Sequence, residues 1–246
     1  MSEHKIRARV GDKSIEKNVC RPDFKEVLTP YKEITDIAKN KYFAPNTIFE
    51  GEARYIAVAE AVFGKIGGKL EEARIEAEEK YKNGKSIERY IDTCATRVCY
   101  ALNKSPIPIT LKKTSSTKGT KWTGADKYFY YTGVNGLKSF LDTNWKELNY
   151  KKSTKNMYGN IKTQIQQGES KDFFHFMGTQ AENEAFFDEI STLKHKKKGI
   201  ILLFGDVRHA TLWNKNDFVD VTIGYGNNYL KDKTRLVKEV YFWEII

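Results

Sequence analysis

Cysteine is scarce. The chain has 246 residues and only three cysteines, Cys20, Cys94 and Cys99, too few and too scattered for a disulfide framework. Zinc-site spacing is missing as well: no C-x-x-C or H-E-x-x-H occurs, and there are four histidines in all. No run of eighteen apolar residues exists, so no helical membrane span is expected. The opening Met1-Ser2-Glu3-His4-Lys5-Ile6-Arg7 has no apolar core, so no ordinary signal peptide is expected and synthesis in the cytoplasm follows. Phe63-Gly64-Lys65-Ile66-Gly67-Gly68-Lys69-Leu70 lacks the first glycine and the final Ser/Thr of a phosphate-binding loop. No metal and no cofactor is expected.

What the chain has in quantity is apolar mass and positive charge. An apolar fraction of 40% indicates a globular protein with a sizeable core, and one domain is the simplest organisation. A net charge of +10 favours acidic partners in general, such as nucleic acid, anionic lipid or a wall polymer, and does not choose among them.

Along the chain, Ile6 to Val10 reads as a short strand, and a helix is expected from Pro22 through Tyr31. Residues 33–55 are interrupted by Pro45-Asn46. Ile56 to Ile66 forms an apolar helical stripe ending at Gly67-Gly68, and the Glu- and Lys-rich stretch from Lys69 to Lys85 reads as a solvated helix. Tyr128 to Tyr131 is rich in strand formers, and Leu137, Phe140 and Leu141 lie on a short helix. Residues 150–198 are polar around one apolar island, Phe173-Phe174-His175-Phe176, with a helix expected near Ala185-Phe186-Phe187. Gly199 to Phe204 has the continuous apolar character of a strand buried on both faces. Ala210 to Trp213, Phe218 to Val221 and Lys238 to Ile246 follow as further strands. The fold class expected is α+β, with N-terminal helices packed on an antiparallel sheet.

One stretch organises the rest. In Asp92-Thr93-Cys94-Ala95-Thr96-Arg97-Val98-Cys99-Tyr100-Ala101-Leu102-Asn103, Asp92 or Thr93 can cap a helix whose apolar face carries Val98, Ala101 and Leu102. Cys94 then lies in the first turn, where free N–H groups and the helix dipole favour a thiolate, so a lowered thiol pKa is expected. Cys99, five positions on, is turned about 140° away and is expected to pack. A cysteine hydrolase needs a histidine to move the thiol proton and a third group to orient the imidazole. His209 begins a strand, and Asp220 lies eleven residues later on the next one, the separation of a short hairpin. Asp217, in the turn between them, competes for the orienting role but also suits turn chemistry. Each residue alone has an ordinary reading as a packed cysteine or a sheet histidine; the set suggests nucleophile, base and orienter.

These residues carry a resemblance. Thr93 to Asn103 resembles the nucleophile motif of the fourth family of type VI secretion amidase effectors, C-[AP]-[IT]-R-x-S-Y-x-L-N. Further stretches match in order: Arg21-Pro22-Asp23-Phe24, Ile66-Gly67-Gly68-Lys69, and Trp122-Thr123-Gly124-Ala125-Asp126-Lys127-Tyr128. Lys198-Gly199-Ile200-Ile201, His209-Ala210-Thr211-Leu212-Trp213 and Tyr241-Phe242-Trp243-Glu244 complete a set spanning nearly the whole chain. The resemblance implies a papain-like, NlpC/P60-type fold in one domain covering residues 1–246, with insertions at about 33–55 and 150–198. It implies hydrolysis of peptidoglycan stem peptides at the D-glutamyl–diaminopimelate amide, with Cys94, His209 and Asp220 as the triad. It implies delivery by the type VI apparatus into a rival's periplasm and a cognate immunity protein, with no nucleic acid expected. The sequence departs from the family at Arg208, which stands where a glycine usually precedes the histidine. Cys99 replaces the motif serine, and the cysteine pair many members carry near the orienting aspartate is absent.

The residues by themselves leave other readings open. A cysteine hydrolase of other specificity, a protein deamidase or protease, would use the same three residues. A non-enzymatic nucleic-acid-binding module would use the basic surface, including Lys194-His195-Lys196-Lys197-Lys198, and be indifferent to Cys94.

Overall fold

The computed structural model describes residues 2–10, 13–44, 52–84, 92–105, 120–145, 173–177, 197–232 and 234–245, and the side chains of 2–20, 52 and 173–177 lie outside the description. In chain order these form β1 (Ser2–Val10), β2 (Lys13–Arg21), α1 (Phe24–Tyr42), α2 (Glu52–Ile66), α3 (Lys69–Lys82) and α4 (Cys94–Lys104). There follow β3 (Lys121–Thr123), β4 (Phe129–Tyr131), α5 (Val134–Trp145), β5 (Phe173–Met177), β6 (Lys198–Gly205) and β7 (His209–Asn214). The last elements are β8 (Asp217–Phe218), α6 (Val219–Thr222) and β9 (Val237–Glu244). The architecture is α+β: helices lie against a five-stranded sheet of order β5-β9-β6-β7-β8, every neighbouring pair of which is antiparallel.

β6 and β9 are the apolar runs read from the sequence, and they pair at the centre of the sheet with Ile200 opposite Trp243 and Leu202 opposite Tyr241. Strand alternation sends Ile200, Leu202, Tyr241 and Trp243 to the core shared with the helices. Ile201, Leu203, Val240 and Phe242 go to a second cluster with Trp213, Phe218, Leu230 and Val237. Both faces are covered, so the strands read as continuous apolar runs. Each such side chain contributes roughly 1.5–3 kcal/mol of burial.

α4 is the pivot. Every residue from Cys94 to Asn103 is buried, because the helix packs against α1, β7, β4 and α5. α1 starts with a capping exchange in which the Asp23 N–H donates to Glu26 Oε2 at 3.0 Å. It runs eleven residues beyond the expected end at Tyr31, since Ile34 and Ala38 continue the buried stripe of Phe24, Val27 and Tyr31 and the proline break comes later. Residues 33–42, expected as part of an insertion, are therefore helix, whereas 45–51 lie outside the described residues. α3 has the expected charged exterior but buries Leu70, Ala73 and Ala77.

Two separated stretches of the resemblance meet in space. Gly67 and Gly68, at φ of 68° and 69°, turn the chain out of α2, and Ala125 N–H donates to Ile66 O at 3.1 Å. A Cβ on Gly68 would lie 2.6 Å from Ala125 N, so only glycine permits this approach. Arg21, fully buried, donates to Trp145 O at 2.8 Å and to Glu244 O at 2.9 Å, tying the end of β2 to α5 and β9.

Two expectations need correction. Phe173–Met177, within a stretch expected as an insertion, is the edge strand β5, paired along β9 with Phe174 opposite Phe242, because that edge supplies the backbone partners the local polar context conceals. The remainder of 150–196, including the helix expected near Ala185, lies outside the described residues. Phe218 to Val221 is not a continuous strand either. The chain leaves β8 at Phe218 and closes one helical turn, α6, which carries Asp220.

Candidate active site

α4 presents Cys94 as its first residue, 3% exposed, against the strand that opens with His209. The thiol lies beside the next strand residue, within reach of the Ala210 backbone N–H. Thr93 is the cap position but makes no side-chain cap bond; Asp92 supplies it, its Oδ1 accepting from the Cys94 N–H at 3.0 Å. The structure overturns the expected lowered thiol pKa. Burial pushes the Cys94 thiol up first, and the charge and hydrogen bond of Asp92 push it further. Arg97 and the Ala210 N–H oppose this and lose, so the thiol titrates well above its ordinary value.

His209 is 7% exposed and its Nε2 lies 2.8 Å from Asp220 Oδ2. With Nε2 engaged, Nδ1 is the nitrogen left to exchange a proton with a reacting group. The ring of Tyr229 stands edge-on to the imidazole, 5.1 Å between centroids, and limits its rotation. Arg208 is exposed, and no side chain lining the cavity comes from that position.

Asp220 is fully buried. Its Oδ1 accepts from the Val221 N–H at 3.1 Å, and Arg97 Nη2 stands 3.9 Å from Oδ2. The Thr211 hydroxyl also reaches it and bonds in turn with Tyr31 Oη at 2.9 Å. Burial pushes the carboxyl up, but His209, Arg97 and Thr211 together outweigh it and hold Asp220 below the usual carboxylate range. Gly226, at φ of 127°, closes over this carboxylate, and a Cβ there would sit 3.3 Å from Asp220 Cγ. Asp217, the competitor, is occupied elsewhere: its Oδ1 accepts from the Phe218 N–H at 2.7 Å and from Asn228 Nδ2 at 3.0 Å. That is turn chemistry.

Arg97 is buried beside these groups. It is 3% exposed, donates through Nη1 to Thr35 Oγ1 at 3.2 Å, and lies over the rings of Tyr31 and Tyr225. Burial works against the guanidinium, but Tyr31, Asp220, Tyr225 and Cys94 together outweigh it, and its pKa is raised. Cys99 packs as expected, and burial pushes its thiol up to about 12. Cys99 is a free thiol, and the side chain of Cys20 lies outside the described residues.

Cys94, His209 and Asp220 share one cavity of about 580 Å³ with Asp92, Arg97 and Tyr229. Its rim is aromatic, formed by Tyr42, Phe43, Tyr55 and Tyr225. Sequence reasoning missed this rim because its members come from α1, α2 and the loop after α6 and share no period. Their one signal is an aromatic content of 13%, which has no address. The basic run before β6 is described only at Lys197 and Lys198; Lys197 Nζ pairs with Glu244 at 2.5 Å and Lys198 lies over Phe24. Among the described residues no three His, Cys, Asp or Glu side chains converge as metal ligands, and no helix is long and apolar enough to cross a membrane.

No protein-family model and no curated protein matches the chain. Among solved structures, the type VI effector–immunity complex Tae4–Tai4 from Salmonella Typhimurium aligns at 17% identity over 92% of this chain and 100% of that one, with a TM-score of 0.49. The type VI effector Tae4 from Enterobacter cloacae aligns at 20% identity over 93% of this chain and 99% of that one, with a TM-score of 0.48.

Proposed function

We propose that the chain is a cysteine amidase that hydrolyses peptidoglycan stem peptides. The observation that carries the chemistry is the buried 2.8 Å contact between His209 Nε2 and Asp220 Oδ2 in the cavity that Cys94 lines. An imidazole held at Nε2 by a carboxylate is a base at Nδ1 and an acid once it has taken the proton there. Cys94 supplies the sulfur, His209 takes its proton, and Asp220 orients the ring and stabilises its charge. Attack on an amide carbonyl expels an amine that recovers the proton from Nδ1, leaving an acyl-enzyme for water to resolve.

The substrate and setting rest on the ordered sequence resemblance given above. They are a papain-like, NlpC/P60-type fold in one domain, the D-glutamyl–diaminopimelate amide as scissile bond, delivery by type VI secretion into the target periplasm, and a cognate immunity protein as partner. A charge of +10 suits an anionic wall.

The test is digestion of purified peptidoglycan with wild type, Cys94→Ala and His209→Ala, followed by mass analysis of released fragments. Stem-peptide fragments from wild type alone are expected, and their masses name the bond. Full activity in either variant removes the triad. Absence of fragments from wild type removes the wall substrate and leaves protein amides as the substrates to assay with the same variants.

A further inference from the structure

In acyl transfer at a helix start, the nucleophile's own backbone N–H is a natural donor to the oxyanion of the tetrahedral intermediate. Here that donor is taken. The Cys94 N–H points to Asp92 Oδ1 at 3.0 Å, and the charge of the same carboxylate acts on the Cys94 sulfur in the cavity both residues line. One carboxylate thus faces both atoms on which catalysis would place negative charge. Asp92 ahead of α4, Arg97 one turn along it, His209 from β7, Asp220 from α6 and Tyr229 from the loop beyond line the cavity with Cys94, and Tyr31 from α1 interacts with it electrostatically. Of these six Asp92 alone is exposed; the rest are buried or half-buried. Its side chain can leave the position without disturbing the core.

We propose that Asp92 is a gate on the oxyanion position: in the resting chain it caps the Cys94 N–H, and the substrate carbonyl must displace it before attack. The proposal rests on the reading of Cys94 as the nucleophile. On displacement, the thiol proton passes to His209 Nδ1 and the sulfur bonds to the carbonyl carbon. The C=O electron pair moves to oxygen, which takes the Cys94 N–H that Asp92 has released. Collapse then breaks the C–N bond, and the leaving amine carries away the proton from Nδ1. Asp92 is a positioning residue in this scheme. It keeps an otherwise nucleophilic cysteine unreactive until a substrate fills the cavity, which suits a protein made and stored inside a cell whose own amides it must not attack.

Two variants separate the two contacts. Asp92→Asn removes the charge but keeps an oxygen that caps the N–H, whereas Asp92→Ala removes both. The first readout is the rate of Cys94 carboxamidomethylation by iodoacetamide against pH, mapped by peptide mass, which needs no substrate. Both variants are expected to alkylate faster at pH 7, on the order of tenfold for one adjacent charge removed, with the profile displaced to lower pH. The second readout is wall hydrolysis, expected to rise more in Asp92→Ala than in Asp92→Asn. Alkylation profiles matching wild type in both variants overturn the proposal, as does hydrolysis at or below that of Asp92→Asn by an Asp92→Ala protein that melts at the wild-type temperature. The asparagine variant retains the cap, so a folding defect confined to the alanine variant leaves the alkylation test decisive. Wild type that alkylates at Cys94 but releases no wall fragments refutes the amidase reading, while the alkylation profiles still decide the role of Asp92.

Discussion

Asp220→Asn is the substitution whose consequences the structure specifies most fully. The asparagine preserves shape in a fully buried site, so the change is electrostatic. In the transition state His209 carries the thiol proton, and the charge facing it is 2.8 Å away. At an effective dielectric constant near 20 that attraction is roughly 6 kcal/mol, equivalent to about four orders of magnitude in rate. Loss of the carboxylate also frees the imidazole to adopt the wrong tautomer, so kcat is expected to fall about 10⁴-fold. Stability moves as well. Arg97 is buried, its Nε has no hydrogen-bond partner, and Thr35 is left as its neutral contact once the counter-charge has gone. Breaking a buried charge pair from one side costs about 3–5 kcal/mol. The sign of the pH dependence follows from the depressed Asp220 carboxyl: its contribution is present above the ordinary carboxylate pKa and is lost as pH falls through the folded value. The stability gap between wild type and variant is therefore wide at pH 7 and closes below about pH 4. Urea denaturation at both pH values and fragment release from peptidoglycan measure the two effects. A variant that keeps more than about a tenth of wild-type kcat, or loses under ~1 kcal/mol at pH 7, refutes the reasoning. Asp217→Ala is the control: its carboxylate serves the turn, so a loss near 1 kcal/mol and a kcat within a few-fold of wild type are expected.

Gly199→Ala should destabilise without touching the site. A Cβ there would lie 2.1 Å from Trp243 O in the paired strand, so the β6–β9 ladder must shift, lowering Tm by about 4–8 °C in a circular dichroism melt; an unchanged Tm contradicts the close approach. Cys99, with burial pushing its thiol up to about 12, should resist iodoacetamide at pH 8 in the native protein and label fully in denaturant. Native labelling at a rate like that of a free peptide thiol would count against its burial in α4.

The helix opening at Cys94 and the two central strands were legible in the chain because each is written in neighbouring residues. Asp92 and Cys94 are two positions apart, so a capping contact is nearly dictated by sequence; Ile200 to Leu203 announce burial through their own apolarity. His209 and Asp220 were paired from spacing, and their 2.8 Å contact agrees with that reading although Asp220 sits on a helical turn rather than a strand. A strand and a turn that both follow a tight hairpin can return a side chain to the same place, so spacing alone does not distinguish them.

What the sequence could not determine are the quantities that sum over distant groups. The helix start predicts a stabilised thiolate, yet Cys94 is buried in a cavity that Asp92 also lines, and desolvation with the Asp92 charge exceeds what Arg97 and the Ala210 N–H offer. Arg97 looks like a solvated residue in its local context and becomes a buried counter-charge only when α4 docks against α1 and α6. The aromatic rim is assembled from three segments with no shared periodicity. Local pattern determines which backbone forms a residue can adopt. The pKa and the partner of a buried side chain depend on every charge and dipole that the packed chain brings within a few ångströms, and that sum exists only in the tertiary structure.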